Sequence, residues 1–376
     1  MLAPGEKTSL FGFLSKVIYR FYYLTVYWFY SLPSRGKTWA KIRIFHSHRK
    51  IAVLRKQESK SKKYVVIALW PRVGLNSSVI SEVEIFLKLD MNVVCIMNKS
   101  KYAEEWQIAL SKYPITLISR PNIGRDFGAY QAGIRYLQNE IGTTNIESLC
   151  LANDTIYYTP NSYQVVQDTL NLPADINCIY LNLQTHLHAQ SFFLVFNSKV
   201  INSKTFINFW KSYYPSDERR HCIVRGELRL SRLLLKANFV FRPLINGEFL
   251  NNLLKQKIKL QLGELRCLYE LADSTLELRK LTYLDFNFHA LQMNLVAGSK
   301  NISHLLGLYL FRTAHVPMKL DLFMRGFHTQ AEIREVLLAN GVNATEASDI
   351  ESLLLRSGSW NTLYGIKRMW RQHGYI

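Results

Sequence analysis

From residue 64 onward the chain alternates short β-branched runs with stretches carrying apolar residues at helical spacing, and this alternation restricts the fold more than any other feature. Tyr64–Trp70 (YVVIALW), Asn92–Met97 (NVVCIM), Ile115–Ser119 and Ser148–Ala152 (SLCLA) read as strands. Each is apolar without a polar face, as a strand is when both faces of its sheet are covered. Between them, 77–89, 102–112 and 127–138 read as helices; the first places Val79, Val83, Phe86 and Leu89 on one side. Strand–helix alternation of this kind predicts an α/β fold with a Rossmann-type, mostly parallel sheet flanked by helices. Two further strands at 178–183 and 191–196, helices at 199–213 and 225–237 and a last strand at 239–242 complete the pattern. Beyond residue 250 helices dominate, among them 332–339 and 350–355. The expected organisation is an aromatic and basic segment (1–56), a polar linker (56–63), an α/β domain (64–250) and a mainly helical C-terminal region (251–376).

Open α/β sheets bind ligands beyond the carboxyl ends of their strands. The first strand is followed by a loop with Arg72 and Asn76, and the third by Arg120-Pro121-Asn122-Ile123-Gly124-Arg125-Asp126. The fourth is followed by Asn153-Asp154-Thr155. Glycine allows close backbone approach, a helix N-terminus favours phosphate, and arginine binds a diphosphate in a fork. Arg72, Asn76, Arg120, Asn122, Gly124, Arg125, Asp126, Asn153 and Asp154 are therefore the candidate residues for a nucleotide diphosphate. Asp126 is placed either to hold a base or ribose group or to cap the helix. Asn153-Asp154 is placed either to hold a hard divalent cation, magnesium or manganese, at Asp154 or to form an Asx-turn.

RPNIGRDFG (120–128) followed by Asn153-Asp154-Thr155 resembles the rhamnan synthesis protein F family, glycosyltransferase-like proteins of bacterial surface-polysaccharide assembly. The resemblance runs from about Tyr64 to about Arg325. It takes in SFFLVF (191–196), FINFW (206–210), ELRLSRLLL (227–235) and Pro317-Met318-Lys319. It implies a GT-A-like fold, a nucleotide-sugar donor, often dTDP-rhamnose, and a growing or lipid-linked glycan as acceptor. It also places Asn153-Asp154 where GT-A enzymes carry an acidic D-x-D pair, with one carboxylate instead of two. An inverting transferase needs a base for the acceptor hydroxyl. Glu227 matches the position such a base takes at a helix start, where a carboxylate is also favoured by the helix dipole alone. His186, His188 and Ser191 are the candidates for positioning the acceptor or the diphosphate. The implied activity is sugar transfer in lipopolysaccharide O-antigen, capsule or rhamnan synthesis. The alternative is a catalytically silent glycan- or nucleotide-binding protein of the same fold.

The formal charge is +19, and residues 34–63 hold eleven Lys or Arg against one Glu. Before them, residues 10–32 (LFGFLSKVIYRFYYLTVYWFYSL) are rich in Tyr, Trp and Phe. Lys16 and Arg20 interrupt the apolar run and no small-residue cleavage site follows, which argues against a signal peptide, and the uninterrupted part, 21–32, is short for a span of about 20 residues. An interfacial helix fits better, with an aromatic helix packed on the protein's own core and a spanning helix as the alternatives. An interfacial helix followed by a polybasic stretch predicts an anionic membrane surface as partner and a peripheral place on the inner face of the bacterial cytoplasmic membrane. Charge alone would also suit nucleic acid, but no zinc-finger spacing or RNA-binding aromatic motif accompanies it, so no nucleic-acid partner is expected. Acids are sparse around the loops, which argues against the facing pair of a glycoside hydrolase. The five cysteines are dispersed without metal spacing and read as reduced core thiols.

Overall fold

The computed structural model describes residues 50–72, 75, 77–182, 187–246, 248–249, 302–320, 322, 330–348 and 350, together with 25, 32 and 36–40. The strands are β1 (Ala52–Arg55), β2 (Lys63–Leu69), β3 (Asn92–Asn98), β4 (Thr116–Arg120), β5 (Ser148–Asn153), β6 (Ile156–Tyr157), β7 (Ile176–Cys178), β8 (Leu181–Asn182), β9 (His188–Ala189), β10 (Phe193–Asn197), β11 (Phe241–Pro243) and β12 (Met318–Lys319). Eight form one sheet in the order β1-β4-β3-β2-β5-β10-β7-β11. β4, β3, β2 and β5 are mutually parallel, β1 and β10 run against their neighbours, and β7 and β11 pair in parallel. The sheet is thus mostly parallel, as the unbroken apolar runs require.

Both faces are buried. Val65, Ile67 and Leu69 of β2 pack with Val83, Phe86 and Phe193 on one side. Val66 and Ala68, pointing the other way with the two-residue period of a strand, pack with Tyr130 and Ile134. The helix Arg125–Glu140 lies close on that second face: a Cβ on Gly133 would come within 2.5 Å of Val66 Cγ1. Cys95, Cys150, Cys178 and Cys222 are free and buried; Cys267 lies outside the described residues. Among the described residues no helix is long and apolar enough to cross a membrane.

Four local expectations are corrected. β1 lies inside the stretch assigned to the N-terminal segment; its AVLR is mostly exposed at the sheet edge and carries no core-facing alternation to reveal it. The strand expected at 178–183 is broken, because β8 leaves the large sheet to pair with β9. The expected helix 225–237 begins earlier, at Arg219, and passes through a π-helical turn, Cys222–Leu228, before Arg229–Lys236. The helix Tyr163–Leu170 was not anticipated. In the C-terminal region β12 pairs with β6, and Tyr309 and Leu310 of Gly307–Ala314 enter the main core. Residues 251–300, the helix expected at 350–355 apart from Ile350, and most of the aromatic segment 10–32 lie outside the described residues.

Candidate functional site

The strand order reverses between β2 and β5: from β2 the chain steps outward to β3 and β4, then crosses back to β5 on the other side. Open α/β sheets bind their ligands at such a reversal, outside the carboxyl ends of the strands, here β2 and β5. Trp70-Pro71-Arg72 leaves β2 there and Asn153-Asp154 ends β5. The helix Arg125–Glu140 brings its first turn alongside, because Asn153 Nδ2 donates to Asp126 Oδ2 at 3.2 Å. The expected convergence of three loops on one edge is what the structure shows. A recess of about 200 Å³ lined by Glu84, Lys88, Pro160 and Tyr163 is shallow and contains none of these three loops.

Arg120 is not a ligand-facing residue. It is 1% exposed, its Nη1 donates to Asn98 Oδ1 at 2.8 Å and its Nη2 to the carbonyl of Ile123. Burial lowers its pKa to about 10, opposed by Asp217. It ties the loop to β3 from below, and the Arg-x-x-x-x-Arg spacing conceals that the two arginines do different work. Gly124 is the helix N-cap at φ 82°, and Arg125 follows at φ 51°, a left-handed conformation uncommon for a side-chain-bearing residue. The Gly124 N–H donates to Asp217 Oδ1 at 2.7 Å, and a Cβ there would lie 2.2 Å from Pro215 Cβ. Gly124→Ala is therefore expected to cost roughly 2 kcal/mol or more of stability, combining positive φ with a clash, as measured by chemical denaturation. Gln131 locks the same helix by donating to the carbonyls of Trp210 and Tyr213, both at 2.7 Å. Phe127 stacks on Trp210 with centroids 5.8 Å apart.

Asp126 does not cap its helix: the N-cap is Gly124, with no side-chain cap bond. Burial raises Asp126 above the usual carboxylate range and Glu227 adds to this, while Arg125, Arg72 and Arg219 pull it down. Asp154 is raised to about 7, first by burial and then by Asp126, against the pull of the Trp70 N–H and Arg72. Its Oδ2 accepts that N–H at 2.5 Å. Asn153 realises the Asx-turn reading: buried, it accepts from Thr155 N–H (3.2 Å) and Oγ1 (2.6 Å) while bridging to Asp126. Arg72 is exposed, its guanidinium 3.8 Å from the Trp70 ring centroid. Two amides after β2 are taken by carboxylates. Leu75 N–H donates to Glu105 Oε1 (3.3 Å) and Ser77 N–H to Glu346 Oε1 (3.0 Å).

Glu227 lies in the π-helical turn, not at a helix start, so the helix dipole does not explain it. π-turns recur at functional sites because the extra residue re-aims a side chain. Here Gly226 passes over Phe127, where a Cβ would lie 2.9 Å from the ring, and Glu227 Oε1 accepts the Ser191 N–H at 2.7 Å. The Ser191 carbonyl accepts from Tyr130 Oη at 2.9 Å, so both backbone groups of Ser191 serve to hold the site. His188 is buried in β9, paired opposite Asn182, rather than presented to an acceptor. Asn122 is half-buried in the Gly124 loop. Asn76 and His186 lie outside the described residues.

Three residues near the site were missed. Asp217 and Arg219 stand in a polar run, SDERRH, with no periodicity to set them apart. Glu82 carried a signal: it shares the core-facing stripe of Val79, Val83 and Phe86. It is 0% exposed, neither carboxyl oxygen has a hydrogen-bond partner, and burial with help from Asp154 pushes it well above its ordinary value. The folded state keeps a proton that the unfolded chain releases, so Glu82 costs stability as pH rises. Glu82→Gln is expected to raise the melting temperature at neutral pH and leave it unchanged below the ordinary glutamate value of 4.5. A uniform shift at all pH values would show instead that the side chain acts through packing.

The family described as Rhamnan synthesis protein F matches residues 93–261. This stretch contains the Gly124 loop, Asn153-Asp154, Ser191 and the π-turn carrying Glu227. An uncharacterized protein of Sinorhizobium fredii (y4gN) is 26% identical over 177 residues, 46% of this chain and 45% of its own, so the chain spans about half the length of that relative. Among solved structures, a Desulfovibrio desulfuricans protein described as a nucleotide-diphospho-sugar transferase aligns with a TM-score of 0.33 and 10% identity, covering 49% of this chain and 80% of its own. The mannosyltransferase PcManGT of Pyrobaculum calidifontis, solved with GDP-Man and Mn²⁺, aligns with a TM-score of 0.31 and 10% identity over 93% of this chain and 99% of its own.

Proposed function

We propose that the chain is a GT-A-like glycosyltransferase that moves a sugar from a nucleotide-diphosphate donor to a glycan acceptor. The observation that carries this reading is the grouping, at the β2/β5 reversal, of Asp126 and Asp154 with the cations Arg72, Arg125 and Arg219, and with Glu227 near enough to raise Asp126. Arg72 and Arg125 take the diphosphate charge. Asp126, held by Asn153, receives hydrogen-bond donors of the nucleoside. Among the described residues no group of three or more His, Cys, Asp or Glu is arranged for a metal. A single carboxylate at Asp154, completed by phosphate oxygens and water, nevertheless fits the sparse protein ligation that magnesium and manganese accept beside phosphate. A divalent cation bound there would stabilise the charge on the departing diphosphate.

As the bond from the anomeric carbon to the diphosphate breaks, the acceptor oxygen forms the new bond and Glu227 takes its proton. Ser191 N–H, fixed through Tyr130, holds Glu227 in place for that step. The family's description, rhamnan synthesis, supports rhamnose as the sugar; a growing bacterial surface polysaccharide as acceptor and a reaction on the cytoplasmic side of the membrane are part of the same proposal. Thermal shift with UDP, dTDP and GDP, each with and without Mn²⁺, tests the donor half. A cation-enhanced rise with one nucleotide is expected. No rise with any of them overturns the reading.

A further inference from the structure

The chain enters the sheet at the site edge. β1 runs antiparallel to β4, with Ala52 opposite Ser119, so its first residue lies beside the end of β4 where Arg120 opens the Gly124 loop. Segment 36–40 reaches the same place. It is helical, and Thr38, 2% exposed, donates to Asp217 Oδ2 at 3.2 Å, while Asp217 Oδ1 holds the Gly124 N–H. N-terminal residues thus touch the loop that carries Arg125 and Asp126 through one shared carboxylate.

What they expose there has a consistent chemistry. Trp39 is 56% exposed and Lys37 is exposed. Lys50 is exposed, followed by Ile51, Val53 and Leu54 at 40%, 46% and 39%. These residues fall in the 34–63 stretch with its eleven basic residues and one acid. Exposed tryptophan settles at a headgroup layer, and basic residues are drawn to anionic lipid. Aliphatic side chains gain from immersion in lipid and nothing from a phosphodiester backbone, so the Ile51, Val53 and Leu54 exposure favours a bilayer over nucleic acid.

We propose that this face docks on an anionic lipid surface and turns the Arg125–Asp126 edge of the sheet toward it, so that the acceptor reaches the site from the membrane. This orientation rests on the glycosyltransferase reading only for its statement about the acceptor. The test uses the full chain with phosphatidylcholine vesicles made with and without phosphatidylglycerol. Expected are co-sedimentation with the anionic vesicles, loss of it at high salt, and at least a tenfold weaker partition for the Trp39→Ser, Lys50→Ser double variant, with its nucleotide thermal shift and melting temperature unchanged. Hydrogen exchange should slow in 36–52 and 121–126 on anionic vesicles. It should not change in 111–115 and 141–147, which precede β4 and β5 at the far edge of the sheet. Equal partition into neutral vesicles, retention on duplex DNA as strong as on anionic vesicles, or protection at the far edge in place of 121–126 each overturns the proposal. A missing nucleotide shift with lipid binding intact would instead count against the transferase reading alone.

Discussion

Asp154→Asn is expected to make the protein more stable at neutral pH and close to inactive. The carboxyl is raised from 3.8 to about 7, mainly by burial. Below 3.8 it is protonated in folded and unfolded chains alike and costs nothing. Between 3.8 and 7 the unfolded chain releases a proton that the folded chain keeps, so stability falls as pH rises and levels off above 7. At about 1.4 kcal/mol per pKa unit, the cost reaches at most about 4 kcal/mol. Asparagine retains an acceptor oxygen for the Trp70 N–H and cannot ionise, so it removes the cost. The melting-temperature gap between variant and wild type should open across this window, and Mn²⁺ with nucleotide should narrow it by restabilising only the wild type. Turnover should fall by roughly a hundredfold or more, the usual loss when a group facing developing charge is removed. A variant that is less stable at pH 7, or one with unchanged turnover, contradicts this role.

Asp126→Ala is expected to separate the nucleoside from the diphosphate. Asp126 sits among Arg125, Arg72 and Arg219 and takes a hydrogen bond from Asn153. Removing it leaves those cations with less opposing charge, so inorganic pyrophosphate should bind as well as before or more tightly. The nucleotide donor, deprived of its acceptor at the base or ribose, should bind at least tenfold more weakly, about 1.4 kcal/mol. Because the carboxyl is raised by burial, its loss should not lower the melting temperature. Calorimetric titration of both ligands into both proteins measures this. Wild-type nucleotide affinity in the variant refutes the assignment, and parallel loss of both ligands would show a role in the shape of the loop.

The parallel half of the sheet was legible because each strand is apolar on both faces and each intervening helix keeps its period. That also placed the three loops on one edge, since parallel strands put all their carboxyl ends together. Residue roles within the loops were less legible. Arg120 and Arg125 are indistinguishable as letters, yet one is 1% exposed and spent on Asn98 and Ile123 while the other is exposed. The difference arises because Arg120 ends a buried strand and Arg125 follows a left-handed glycine. Glu227 was placed by its neighbourhood after the later strands, but the π-turn that aims it depends on Gly226 meeting Phe127, a contact 99 residues away in the chain. β1 was hidden because an edge strand beside a charged segment has no core face to advertise. Glu82 was visible as an acid on an apolar stripe, and only its burial gave that position meaning.

The most direct test is turnover of a panel of nucleotide sugars, dTDP-rhamnose among them, by the purified full chain with and without Mn²⁺ or Mg²⁺, with free nucleotide diphosphate as the readout. The expected result is cation-dependent release of the diphosphate from one donor, lost in Asp154→Asn and Asp126→Ala and retained in the Trp39→Ser, Lys50→Ser variant. Release from no donor, in the presence of either cation and of a lipid-linked glycan acceptor, would contradict it and leave a binding protein of the same fold.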